Sequence, residues 1–205
     1  MIVQTKSLGM DIDYFFSSPI GGYKIEVDDL TDYVLQLSES KSGVSRSNLG
    51  GWHSDDFRNP EPQFEILWNN IDTFVNQFHE SMGLMGNVYI SSLWFNVNSF
   101  GSSNAPHVHP NSIWSGVYYI KTPEECGCLG FQNPNVVNNW VFPQKIMTEK
   151  SDKMFKNNII MTPEKNVLYI FPGWLSHFVD ANMSQEKRIS LSFNINASPK
   201  FSWGR

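Results

Sequence analysis

From about residue 87 the hydrophobic pattern shortens its period, and that shift constrains the fold more than any other feature of the chain. Five runs, "NVYISSLWFNVNSF", "SIWSGVYYIKT", "GCLGFQNP", "VLYIFPGWLSHFV" and "RISLSFNINA", are rich in β-branched and aromatic residues. Clusters of Gly, Pro, Asn and Ser separate them, together with one polar insertion, "PQKIMTEKSDKMFKNN". The last run has two opposed faces. Arg188, Ser190, Ser192 and Asn194 share one, and Ile189, Leu191 and Phe193 share the other. Short strands at this spacing predict an antiparallel sandwich or barrel of jelly-roll type.

The chain before this region reads differently. "YFFSSPIGGYKIEV" predicts a short strand pair around a turn at Pro19 and Gly21-Gly22. "DDLTDYVLQLSES" opens with acidic capping residues and spaces Leu30, Tyr33, Val34 and Leu37 as one helical face. "SKSGVSRSNLGGWHSDDF" is polar and reads as a long loop, a candidate lid with His53 at its edge. The clearest helix is "EPQFEILWNNIDTFVNQFHESMG". Phe64, Leu67, Trp68, Ile71, Phe74, Val75, Phe78 and Met82 form its apolar stripe, and Gly83 stops it. His79 lies beside that stripe as a packing or surface residue. The expectation is a mainly β protein with N-terminal helices, in a single domain over 1–205. Residues 1–85 would be a helical support and 86–198 the β core.

Bulk properties narrow the function. A net charge of −5 without a basic stripe argues against nucleic-acid and membrane-surface binding. Cys126 and Cys128, the only two cysteines, read as reduced thiols, because a disulfide between them would be strained. The N-terminal stretch lacks the charged and apolar regions of a signal peptide, and no apolar run is long enough to span a membrane. A cytoplasmic protein is expected. The oligomeric state is left open, a homodimer included.

Only five histidines occur, and His107 and His109 are two of them, one residue apart in "NAPHVHPNSIWSGVYYI". Side chains at i and i+2 of a strand point to one face. A third, His177, closes a later strand in "FPGWLSHFVDAN". Two ligands from one strand or its approach, with a third from a neighbouring strand, is an arrangement that holds a metal on a β scaffold. Neutral imidazole suits iron, zinc, copper and nickel. Eleven residues further on, Arg188 offers a planar fork that matches a carboxylate, and Ser190 adds a hydroxyl on the same face. Trp94, Trp114, Trp140 and Trp174 are candidates for pocket walls or for core.

The order H-x-H, late His, R-x-S within short strands resembles the Fe(II)- and 2-oxoglutarate-dependent oxygenases. "HVHPNSIWSGVYYIKTP", "GCLGFQNP", "LYIFPGWLSHFV" and "RISLSFNINA" look most like a small 2-oxoglutarate oxygenase family of bacteria and their phages, with prolyl hydroxylases more distant. The resemblance covers about residues 86–198. It implies a double-stranded β-helix (jelly-roll, cupin-like) core. It implies Fe(II) on His107, His109 and His177, with His109 standing where most of the superfamily has Asp or Glu, and Asp180 as a nearby acid to supply the missing charge. It implies 2-oxoglutarate on Arg188 and Ser190, with Tyr119 and Asn96 as further contacts. The reaction implied uses O2 to hydroxylate a small-molecule or peptide substrate, a prolyl residue among the candidates.

Two other readings stay open. A cupin-type metal dioxygenase or isomerase would use the same histidines without a keto acid, although "HPNSIWSG" lacks the Glu that such proteins place after H-x-H. A non-catalytic β-sandwich would use the histidines only for packing.

Overall fold

The computed structural model describes residues 3–5, 10–12, 17–135, 148 and 155–197. Strands β1 (Val3–Thr5) and β2 (Met10–Ile12) pair with each other as a separate two-stranded sheet. The remaining elements are β3 (Gly21–Lys24), α1 (Thr31–Ser40), β4 (Asn48–Leu49), β5 (Trp52–His53) and α2 (Glu65–Ser81). They continue as β6 (Val88–Asn98), β7 (Ser103–His107), β8 (Trp114–Lys121), β9 (Leu129–Gln132) and β10 (Asn158–Met161). The series ends with β11 (Val167–Pro172), β12 (His177–Val179) and β13 (Arg188–Ala197).

Two antiparallel sheets face each other, ordered β3-β11-β8-β13-β6-β5 and β10-β9-β12-β7-β4. From β6 to β13 the chain alternates between them, with β6, β8, β11 and β13 in the larger sheet and β7, β9, β10 and β12 in the smaller. This is the double-stranded β-helix topology, and it turns the alternation of each strand into an inside and an outside.

The outward side chains of the larger sheet are apolar. Leu93, Phe95, Leu168, Ile170, Leu191 and Phe193 are buried there against Val34 of α1 and Leu67, Ile71, Val75 and Phe78 of α2. The helical stripes are therefore the complement of one sheet face. Asp29 starts α1 by accepting the Thr31 amide at 2.8 Å, and Lys165 at 2.7 Å helps hold its carboxyl down at about 2. Gly83, at φ 72°, ends α2 by donating to the Glu80 carbonyl. Met82, expected on the stripe, lies beyond the helix and is 41% exposed. His79 is a packing residue, with its Nδ1 accepting the Trp114 indole N–H at 3.0 Å.

Inside the sandwich a second apolar cluster, Val117, Tyr119, Leu129, Phe131, Tyr169, Phe171 and Leu175, packs towards one end. Val117, Tyr119, Leu129 and Phe171 of that cluster border the hollow end.

Three expectations change. Gly21-Gly22 is not a turn but part of β3, whose small residues lie close under Phe78 and Tyr169; Tyr14–Phe16 lie outside the described residues, as do Trp140 and most of the insertion. The long loop at 40–57 contains β4, which joins β7 of the smaller sheet, and β5, which joins β6 of the larger. The N-terminal part thus contributes strands to both sheets, because backbone donors at the sheet edges accept partners from any segment that reaches them. Lastly, "SNAPH", with no period-2 hydrophobicity, forms β7.

Leu191 is fully buried at the centre of the larger sheet, between sheet and helices. Replacing it with Ala is expected to lower unfolding free energy by about 2–5 kcal/mol in urea titrations, without changing the slope.

Candidate metal and carboxylate site

The hollow end of the sandwich is a cavity of about 580 Å³. Its floor is the inner face of β6, β8 and β13, where Asn96, Ser190 and Tyr119 lie abreast in register. Its roof is β7 and β12 with the turn after β7.

The histidines meet at the roof. Antiparallel pairing sets His177 directly opposite His107, with ring centroids 4.3 Å apart. His109 arrives differently from the expected strand alternation, since β7 ends at His107. A turn with Asn111 at φ 66° follows, and the His109 amide donates to the Gly173 carbonyl at 2.8 Å. Gly173 in turn donates to the Ile113 carbonyl at 3.1 Å. A Cβ on Gly173 would collide with the Ser112 carbonyl, so "FPGW" needs glycine for the turn to dock and present His109.

One ligand atom from each of the three rings lies within 4.8 Å of the others, and this cluster of His107, His109 and His177 can hold a metal ion. The Nδ1 of His107 donates to the Ala105 carbonyl at 2.7 Å and that of His177 to the Leu175 carbonyl at 2.9 Å. Those bonds make Nε2 the lone-pair nitrogen of both rings, the atom able to ligate a metal. His109 Nε2 approaches His177 Nε2 to 3.2 Å. Two imidazole donors about 3 Å apart suit one ion bonded at about 2.0–2.1 Å to each. Burial is the main force on their protonation. It lowers His107, and together with the neighbouring imidazoles it takes His109 to about 3 and His177 to about 4. The cluster is therefore neutral at pH 7, as metal ligation requires.

Arg188, 1% exposed, lines the same cavity from β13. One guanidinium nitrogen, Nη1, donates to the carbonyls of Cys126 and Asp180. The other, Nη2, is buried with no hydrogen-bond partner among the described residues. A buried cationic donor left unpaired is costly, and a carboxylate in the cavity would satisfy it. The Tyr119 hydroxyl has no partner among the described residues, and burial pushes its pKa up, so it remains a neutral donor. Ser190 Oγ lies on the same face. Asn96 is partly engaged, donating to Ser192 Oγ at 3.1 Å.

Asp180 is exposed and is not among the residues lining the cavity, and its backbone carbonyl accepts from Arg188 Nη1. The acid that lines the cavity is Asp56, from the segment expected to be a loop. His53, 5% exposed, also lines it and stacks on Trp94 at 5.4 Å, while Trp94 packs against His109 at 5.8 Å. Trp94 is thus a wall of the cavity, Trp114 is core under α2, and Trp174 is 54% exposed. The polar composition of "RSNLGGWHSDD" was the only trace of Arg46, Ser47 and Asp56 in the sequence.

A family described as "Putative 2OG-Fe(II) oxygenase" matches residues 92–194, half of the chain. The uncharacterized protein YjgL of Escherichia coli K12 is 22% identical over 125 residues, 61% of this chain but 18% of its own length. The chain thus spans less than a fifth of that relative. Among solved structures, a Pseudomonas putida prolyl-4-hydroxylase superposes with a TM-score of 0.63 at 11% identity, covering 89% of this chain and 94% of the other. HygX from Streptomyces hygroscopicus, solved with nickel and 2-oxoglutarate, superposes with a TM-score of 0.60 at 11% identity, covering 92% and 86%.

The depressed histidine pKa values have a thermodynamic consequence. Below the unfolded value of 6.5 the unfolded chain binds more protons than the folded one, so stability is full above that pH and is lost as pH falls towards 4. The metal-free protein should have a lower urea midpoint at pH 5 than at pH 7.5. His109→Gln should make that decline shallower.

Proposed function

The chain belongs to the 2OG-Fe(II) oxygenase family, and on that premise we propose that it is a dioxygenase that hydroxylates a small-molecule or peptide substrate with Fe(II) held by His107, His109 and His177. One observation carries this reading: three clustered imidazoles and a buried guanidinium, whose Nη2 has no hydrogen-bond partner among the described residues, line the same cavity. A dicarboxylic keto acid has chemistry to match at both.

In this reading His107 and His177 are held as Nε2 ligands by their backbone carbonyl partners, and His109 by the Gly173 turn. Arg188 receives the distal carboxylate of 2-oxoglutarate through Nη2, because the backbone carbonyls of Cys126 and Asp180 fix its other nitrogen. Tyr119 and Ser190 donate to the same carboxylate, and Asn96 stands beside them. Val117, Leu129 and Phe171 form an apolar lining between the two ends and keep water from the bound acid. Held by these residues, Fe(II) and 2-oxoglutarate would supply oxidative chemistry in which one atom of O2 ends in succinate, with release of CO2, and the other in a C–H bond of the substrate.

A site with three neutral ligands carries one negative charge less than a site with two histidines and a carboxylate. The fork of Arg188 favours the keto-acid reaction over a cupin-type reaction on the same histidines, which has no use for a buried carboxylate receptor.

Anaerobic addition of Fe(II) and then 2-oxoglutarate should produce the weak visible absorption band of the chelate. His177→Ala should abolish it. Arg188→Gln should leave Fe(II) binding intact and weaken 2-oxoglutarate by about 2–5 kcal/mol, thirtyfold or more. Iron binding without a band would favour the cupin-type reaction, and no metal binding would reduce the histidines to packing.

A further inference from the structure

The segment that bridges the two sheets is the part of the cavity wall that the metal and keto-acid roles leave unused. Strand β4 pairs with β7 and β5 pairs with β6, so residues 46–56 close the open end of the sandwich and are pinned at both sides. Gly50 and Gly51, at φ 71° and 68°, make the tight link between the two strands. The bridge is therefore a fixed wall, and three of its side chains offer unsatisfied chemistry.

His53 is the buried member. Its Nδ1 bonds the Ser54 carbonyl at 2.6 Å, which leaves Nε2 as an acceptor that no described residue uses. Exposed Asp56 and Arg46 both line the same cavity and, together with exposed Asp55 beside them, act on the imidazole as charges of opposite sign. They do not pair with each other, and neither forms an ion pair among the described residues. Arg46 is anchored through its own amide, which donates to Asn48 Oδ1 at 2.7 Å. Between them, Ser47 Oγ lies 3.4 Å from His107 Nε2, so this wall adjoins the metal end of the cavity. Two opposite charges without ion-pair partners among the described residues, set on a pinned backbone beside a buried acceptor, complement a molecule that carries both charges on one small skeleton.

We propose that this bridge is the substrate-recognition element and that the substrate is a small amino-acid zwitterion. Its ammonium is held by Asp56 and His53 Nε2 and its carboxylate by Arg46. Burial keeps the His53 imidazole neutral, so it accepts a hydrogen bond and does not repel the ammonium. The backbone of a peptide interior has neither charge. A peptide that presents no terminus or charged side chain there would leave Asp56 and Arg46 idle.

This inference rests on the oxygenase reading, and the experiment separates the two. The protein is first loaded anaerobically with Fe(II) and 2-oxoglutarate, and the visible band is recorded. The twenty free L-amino acids are then added one at a time, each beside its N-acetyl amide. Band position and, after admission of O2, succinate formation are followed. At least one free amino acid is expected to shift the band and raise succinate formation tenfold or more, with its blocked derivative inert. Asp56→Asn and Arg46→Gln should keep the band without amino acid and raise the apparent KM for the amino acid at least tenfold. A normal band that no free amino acid moves would overturn the assignment. So would equal activity of the blocked derivatives, or wild-type KM values in both variants. Failure of the band itself would remove the oxygenase reading and this inference with it.

Discussion

Strand β13 runs through the middle of the larger sheet, paired on one side with β6 and on the other with β8. Its two faces meet opposite environments. Ile189, Leu191 and Phe193 are completely buried against the helices, which fixes the strand and, through its register, the strands beside it. Because a one-residue slip would exchange the faces, that apolar contact also fixes which side chains look into the cavity. Arg188, Ser190, Ser192 and Asn194 are held in a row there by packing that they take no part in. The chemistry on the inner face depends on hydrophobic burial on the outer one.

The cavity is built at an energetic cost. A guanidinium lies 1% exposed with one nitrogen unpaired among the described residues, and burial holds three clustered imidazoles neutral. Each condition would be unfavourable in an apolar interior closed to ligands. Together they describe a site whose strain is relieved by a cation at one end and a carboxylate at the other. The larger sheet, its helices and the second apolar cluster supply the stability against which this cost is set. Binding of either partner should stabilise the fold by mass action.

Most of the fold was legible in the sequence where one face was apolar. β6, β8, β11 and β13 and the stripe of α2 were readable because burial writes a period into the residues. β4, β5 and β7 were not, because "NL", "WH" and "SNAPH" are paired through their backbones, and a backbone hydrogen bond leaves no trace in side-chain type. The same distinction runs through the cavity. His107, His109, His177, Arg188 and Ser190 stood out as an ordered motif. Arg46 and Asp56 looked like solvated loop residues, and nothing about Asp180 distinguished a useful carbonyl from a useful carboxylate.

By itself, then, the sequence determined which chemical groups were present, the alternation that divides β13 into two faces, and the pair of helices able to cover one of them. These are local properties, set by residue type and spacing. The tertiary structure decided how the groups meet. It set His177 opposite His107 by antiparallel register, and turned His109 inward by docking its loop on Gly173. It left one arm of Arg188 free by tying the other to two carbonyls, and it brought the 46–56 segment across both sheets. Each of these depends on contacts between residues far apart in the chain, and such contacts exist only once the two sheets have closed over one another.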